Sequence, residues 1–214
     1  MTTSPGQQVV QTLAFAAPDD GEELARAELY GLLARLYFAP PDEELLAQFK
    51  VAVTQAPAQG GFLEAPWESL VAAMRATDTQ AVADEYEALF MGLGKPEVFL
   101  YGSHHLAGFL NERPLAALRA DLAQLGLTRD EARGETEDHI SYLFEVMRYL
   151  IAGDDVEVCN LERQRRFFRV HIQTWMERLC DAIEAQPKAQ AYRAVAEFTR
   201  AFMQVESQGF DLLE

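Results

Sequence analysis

Few residues in this chain of 214 could do chemistry: four histidines (His104, His105, His139, His171), two cysteines (Cys159, Cys180) and the carboxylates near them. The densest polar cluster is Glu135-Thr136-Glu137-Asp138-His139, directly ahead of the apolar positions Ile140, Leu143, Phe144, Val146 and Met147. Carboxyl groups gathered beside one imidazole could hold a metal ion or act as a general acid and base. The same spacing suits a plainer role, acids favoured by the dipole of a helix start beside a satisfied surface histidine. An α-helical enzyme using Glu135, Asp138 and His139 as a metal or general-base site therefore stays open as an alternative.

Other enzymatic signatures fail at named residues. No two histidines have the spacing of a zincin, and the residues three before the four histidines are Tyr101, Gly102, Thr136 and Phe168, none the glutamate that a dimetal bundle needs. Gly92-Leu93-Gly94 starts like a dinucleotide fingerprint, but Glu97 stands at the third glycine, and Gly94-Lys95 runs into Pro96 instead of Ser or Thr. There is no G-x-S-x-G, and neither cysteine has a local histidine to activate it. Arg163, Arg165, Arg166 and Arg169 read as a solvated or ion-paired helix face, with a phosphate site as the lesser alternative. Trp67, Phe167, Phe168 and Trp175 read as core.

The elements that must position these residues are helices throughout. Apolar residues recur at three and four from Leu24 to Tyr37, behind a cap at Asp19 or Asp20, until Pro40-Pro41 stops the ladder. Further helices are expected over 42–55, 67–76, from Asp78 or Thr79 to Phe90, over about 113–125, over 137–152 with Thr136 as cap, on to about Glu184, and over 189–205. Residues 92–103, with three glycines, a proline and clustered aromatics, should form an extended connector and hinge. No strand-like alternation occurs. The expectation is an all-α, helical-bundle-like domain of about eight helices over 19–206, with loose tails at 1–18 and 207–214.

Composition narrows the function. A net charge of −16, concentrated in the first two thirds, argues against nucleic acid and fits a cationic partner or simple solubility. Two cysteines without CxxC spacing indicate a reducing compartment. The first basic residue is Arg26, so the charged start of a secretory leader is missing and a cytoplasmic location is expected.

At Glu135-Thr136-Glu137-Asp138-His139, followed by Ile140 through Glu145-Val146-Met147, the sequence resembles the TorD/DmsD family of cytoplasmic redox-enzyme maturation chaperones. Their hallmark is Glu-Pro-x-Asp-His opening a helix that runs to Glu-x-Met, and Thr136 replaces the proline here. Tyr86-Glu87-Ala88-Leu89-Phe90-Met91-Gly92 is similar to the family's Tyr-x-x-Leu-Phe-x-Gly. Phe99 to Ser103 keep the aromatic and serine of the stretch that follows, without its diproline. Phe167-Phe168-Arg169-Val170-His171-Ile172-Gln173-Thr174-Trp175 matches Phe-hydrophobic-x-x-His-hydrophobic-x-x-Trp. With Tyr30 to Tyr37 these segments span most of residues 20–205.

The resemblance implies a chaperone and not an enzyme, with no resident cofactor or metal. Such a chaperone binds the twin-arginine leader of a molybdenum-cofactor oxidoreductase, holds the apoenzyme during cofactor insertion and delays its export. Glu135 and Asp138 would supply charge to the leader and Tyr86, Phe90, Phe99 and Tyr101 an apolar wall, with His139 and Ser103 also among the leader-binding residues. GTP or molybdenum cofactor would be met only in passing. A monomer is expected, with a swapped dimer through the hinge as the alternative.

Overall fold

Tyr30, Leu33, Leu36 and Tyr37 recur at helical spacing and form the buried stripe of α1 (Glu22–Phe38). The computed structural model describes residues 21–51, 61–92, 94–130 and 134–212. The N-terminal tail expected over 1–18 and the cap expected at Asp19 or Asp20 lie outside these residues. Then follow α2 (Glu43–Val51), α3 (Glu64–Ala76), α4 (Thr79–Tyr86), α5 (Gly102–Ala107), α6 (Arg113–Gln124), α7 (Ile140–Ala152), α8 (Leu161–Phe167), α9 (Gln173–Glu184) and α10 (Ala191–Asp211). A π turn, Glu87–Met91, prolongs α4, and a second, Phe168–Ile172, joins α8 to α9. The all-α expectation is met: among the described residues there is no strand, only one antiparallel bridge between Tyr101 and His139. Nor is any described helix long and apolar enough to cross a membrane.

The core is aromatic. α1 and α7 pack antiparallel, with Tyr30 beside Phe144 (5.7 Å between rings) and Phe38 beside Tyr142 (6.1 Å). α10 crosses behind them, placing Phe202 edge-on to Tyr30 (4.9 Å) and Phe198 against Trp67 (5.5 Å). The start of α10 is held from a distance, because the Glu85 carboxylate accepts the backbone N–H groups of Gln190, Ala191 and Tyr192. Those are three of the donors that a helix N-terminus leaves unbonded.

Three expectations are corrected. The helix expected over 137–152 starts at Ile140, because residues 136–138 are drawn into a turn and His139, not Thr136, is its N-cap. The connector 92–103 is extended only to Tyr101, and Gly102 already belongs to α5. The tail expected over 207–214 is helical as far as Asp211, since Phe210 is buried against Phe168 (5.3 Å).

Candidate functional site

The cluster 135–139 is built against the connector. Ile140 N–H donates to the Leu100 carbonyl (2.9 Å) and Gly102 N–H to the Asp138 carbonyl (3.0 Å), closing the short bridge around Tyr101 and His139. Asp138, buried, accepts the Ser103 N–H (2.8 Å) on one carboxylate oxygen and the Thr136 hydroxyl (2.6 Å) on the other. It thus caps α5 from another segment, and the Thr136 hydroxyl steadies the cap. The Ser103 side-chain hydroxyl is buried without a hydrogen-bond partner.

His139 is buried at the head of α7, where its Nδ1 accepts the Ser141 N–H (3.3 Å) and lies 2.8 Å from the Ser141 hydroxyl. Accepting a backbone N–H at Nδ1 assigns the proton to Nε2. Burial pushes the imidazole down to about 4, outweighing the upward pull of Glu135 and Asp138. It is therefore neutral at pH 7. Glu135, half-buried, accepts a short hydrogen bond from the Tyr101 hydroxyl, and burial followed by that bond raises the Tyr101 phenol above its ordinary range.

A pH dependence follows. The folded His139 titrates below the ordinary value of about 6.5, so between the two the unfolded chain binds more protons and acid destabilises the fold. The wild-type contribution from this group should be roughly 2 kcal/mol lower at pH 5 than at pH 7. His105 and His171, also lowered chiefly by burial, act in the same direction. The comparison is therefore between wild type and His139→Gln, in urea titrations at both pH values. The variant should lose that increment of acid sensitivity, and equal slopes would refute the assignment.

The other residues expected at the site divide. Tyr86 and Phe90 do not form an exposed wall; both are buried, packed on Tyr192 at 5.7 and 5.0 Å. The Tyr86 hydroxyl donates to the carbonyls of Tyr37 (3.1 Å) and Phe38 (2.9 Å), satisfying the C-terminal end of α1. The π turn after it leaves the Leu89 carbonyl free to accept the Val98 N–H (2.9 Å), tying the connector down. Gly92 then turns the chain at φ 39°, where an added Cβ would lie 2.4 Å from the Lys95 carbonyl oxygen. Phe99 stays half-buried and stacks on His104 (4.0 Å).

The downstream motif is structural too. His105 stacks on Trp175 (5.2 Å), whose indole N–H donates to the His171 carbonyl (2.7 Å). Gly102 lies so close to the same indole that a Cβ would sit 3.2 Å from it. The His171 ring and Arg166 both reach Asp121 on α6, at 2.7 and 3.1 Å. Asp138 thus has both carboxylate oxygens engaged within the fold, and His139 its Nδ1. Among the described residues no group of three or more His, Cys, Asp or Glu side chains is arranged to hold a metal ion.

What the sequence reading missed is a groove of about 610 Å³ between the C-terminal half of α1, the segment after α6, and α7. Phe38, Leu122, Leu127, Val146 and Tyr149 give it apolar walls, and the charged residues on its lining are Asp130, Glu137 and Glu145 with Arg35 and Arg129. Glu137 is paired with Arg119 through two hydrogen bonds, which hold its carboxyl below the usual range. The groove adjoins the cluster, since the Tyr142 ring in its wall lies 5.9 Å from the His139 ring. One signal was available: Val146 and Tyr149 extend the apolar face of α7 beyond its buried stripe.

Comparison with known proteins agrees with this architecture. The family model described as the nitrate reductase delta subunit matches residues 60–181. The chain is similar to the chaperone protein TorD of Vibrio cholerae, at 25% identity in an alignment of 204 positions that covers 88% of this chain and 93% of the relative. TorD from an El Tor strain of that species is 24% identical over the same extent. A crystal structure of an Archaeoglobus fulgidus protein assigned to redox enzyme maturation shares the fold, with a TM-score of 0.54, 20% identity, and coverage of 92% of this chain and 99% of that one. The family match takes in the connector, the Asp138-His139 turn and the groove wall of α7, over more than half of the sequence. The chain accordingly belongs to the nitrate reductase delta subunit family, the group of redox-enzyme maturation chaperones that its motifs resemble.

Proposed function

We propose that this chaperone of redox-enzyme maturation binds the twin-arginine leader of an apo molybdoenzyme along the α1–α7 groove. Holding the leader keeps the client from export while its cofactor is inserted. The observation that carries the reading is the groove itself, an apolar trough whose lining holds three carboxylates, Asp130, Glu137 and Glu145, against two arginines, Arg35 and Arg129, in a chain of net charge −16. A leader combines an apolar stretch with two arginines, so burial would hold the first and carboxylates the second. Among the described residues Glu145 pairs with Arg148 on the same helix, both largely exposed, a pairing weak enough to be exchanged for a leader arginine. Of the residues expected from sequence, Glu135, Phe99 and Tyr101 keep enough exposure to touch the client. Asp138, His139, Ser103, Tyr86 and Phe90 are buried.

The test is calorimetric titration of a twin-arginine leader peptide into wild type and into Leu127→Asp and Val146→Asp, with thermal melts confirming that the variants fold. Placing a carboxylate in either apolar wall should weaken binding at least tenfold, about 1.4 kcal/mol. The association rate of the wild-type peptide should also drop with added salt, because steering by the acidic field is screened. Groove variants that bind as tightly as wild type would refute the placement.

A further inference from the structure

Residues 9–17 read Val-Val-Gln-Thr-Leu-Ala-Phe-Ala-Ala, an uncharged apolar run, and no basic residue precedes Arg26. That is the composition of a leader's apolar stretch without its arginines. We propose that this segment occupies the α1–α7 groove of its own chain when no client is present, and is displaced by the leader. The idea rests on the groove being the leader site.

Reach and polarity both fit. Ala34, at the near edge of the groove, lies thirteen residues beyond Gly21 along α1, roughly 20 Å at 1.5 Å per residue. Phe38, at its far edge, lies roughly 26 Å away on the same count. An extended chain covers about 3.3 Å per residue, so Phe15 can double back about 20 Å from Gly21 and Val9 about 40 Å. The apolar run is thus the first part of the segment that can lie along the groove, and it can span it. Asp19 and Asp20, two residues or fewer from Gly21, reach no more than about 7 Å from it and stay short of Ala34.

Chemistry sets the order of binding. Val9, Val10, Leu13 and Phe15 can bury apolar surface against Phe38, Leu127, Val146 and Tyr149, as a leader would. They bring no cation to Asp130, Glu137 or Glu145. A tethered segment acts at an effective concentration in the millimolar range, enough to seat a weak ligand. A leader that adds two arginines to the same apolar contact displaces it. The device would shield an apolar trough in the idle chaperone and raise the threshold for peptides lacking arginine.

Paramagnetic relaxation on the full chain tests this. A nitroxide is placed at Thr12→Cys in a Cys159→Ser background, and the methyl signals of Leu127 and Val146 are followed. They should broaden equally at low and high protein concentration and sharpen when a twin-arginine peptide is added. In the full-length Leu13→Ser/Phe15→Ser variant the peptide should bind about five- to tenfold tighter, because the competing occupied state is gone. Groove methyls that never broaden, while the peptide still shifts them, would overturn self-docking alone. Broadening that fades on dilution would overturn it in favour of a second copy. Methyls that stay broadened under saturating peptide would overturn both the competition and the groove as leader site.

Discussion

Replacing Asp138 by alanine should lower the unfolding free energy by roughly 3–6 kcal/mol, the sum of two hydrogen bonds to a buried charge at about 1.5–3 kcal/mol each. Both oxygens of the carboxylate are in use, one on the Ser103 N–H and one on the Thr136 hydroxyl, and the side chain is closed off from water. Alanine leaves the Ser103 N–H without a partner at the start of α5, inside a segment already holding one unbonded hydroxyl, that of Ser103 itself. Asparagine should cost about half as much, since its carbonyl oxygen can keep the Ser103 bond while its amide meets the Thr136 hydroxyl, which can reverse its role. The folded fraction should bind a leader with little change, because Asp138 does not face the groove. Chemical denaturation paired with titration separates the two effects. A variant as stable as wild type but deficient in binding would return Asp138 to the role that its motif suggests.

Arg26→Met should destabilise the chain by about 3 kcal/mol, and a second substitution, Glu206→Met, should recover most of that loss. The guanidinium grips both oxygens of Glu206 at 2.8 Å, Tyr30 donates to the same carboxylate at 3.0 Å, and the Glu206 side chain is 4% exposed. Removing the arginine alone leaves a buried carboxylate with one neutral donor. Removing both charges leaves an apolar contact between α1 and α10, beside the Phe210 ring over which Arg26 now lies at 5.6 Å. Urea midpoints of the two single variants and the double variant give the coupling directly. Additive losses would mean that the pair is merely adjacent.

The helices and the family were legible in the sequence because each rests on local information. Apolar residues at three and four, Pro40-Pro41, Asp78 as a cap and Gly126 as a stop act within one turn of the chain, and α1, α4 and α6 lie where these signals place them. The motifs are local strings as well, so they marked the family without indicating what each residue does in it. Burial and partner could be decided only by packing. Tyr86 was expected to face a client and instead closes the end of α1, reached across 49 residues of sequence. Asp138 and His139 looked like a solvated helix start, yet the connector folds over them, and that contact converts an acidic cap of α7 into a buried cap of α5. Only the last turn of α10, from residue 207 on, reads as a tail in the sequence, because the partner of Phe210 comes from the second π turn. The groove belongs to no single segment. It exists because α1, α7 and the segment after α6 bring Phe38, Val146 and Leu127 around a common space, and a linear pattern of apolar residues does not encode which of its faces another element will leave uncovered.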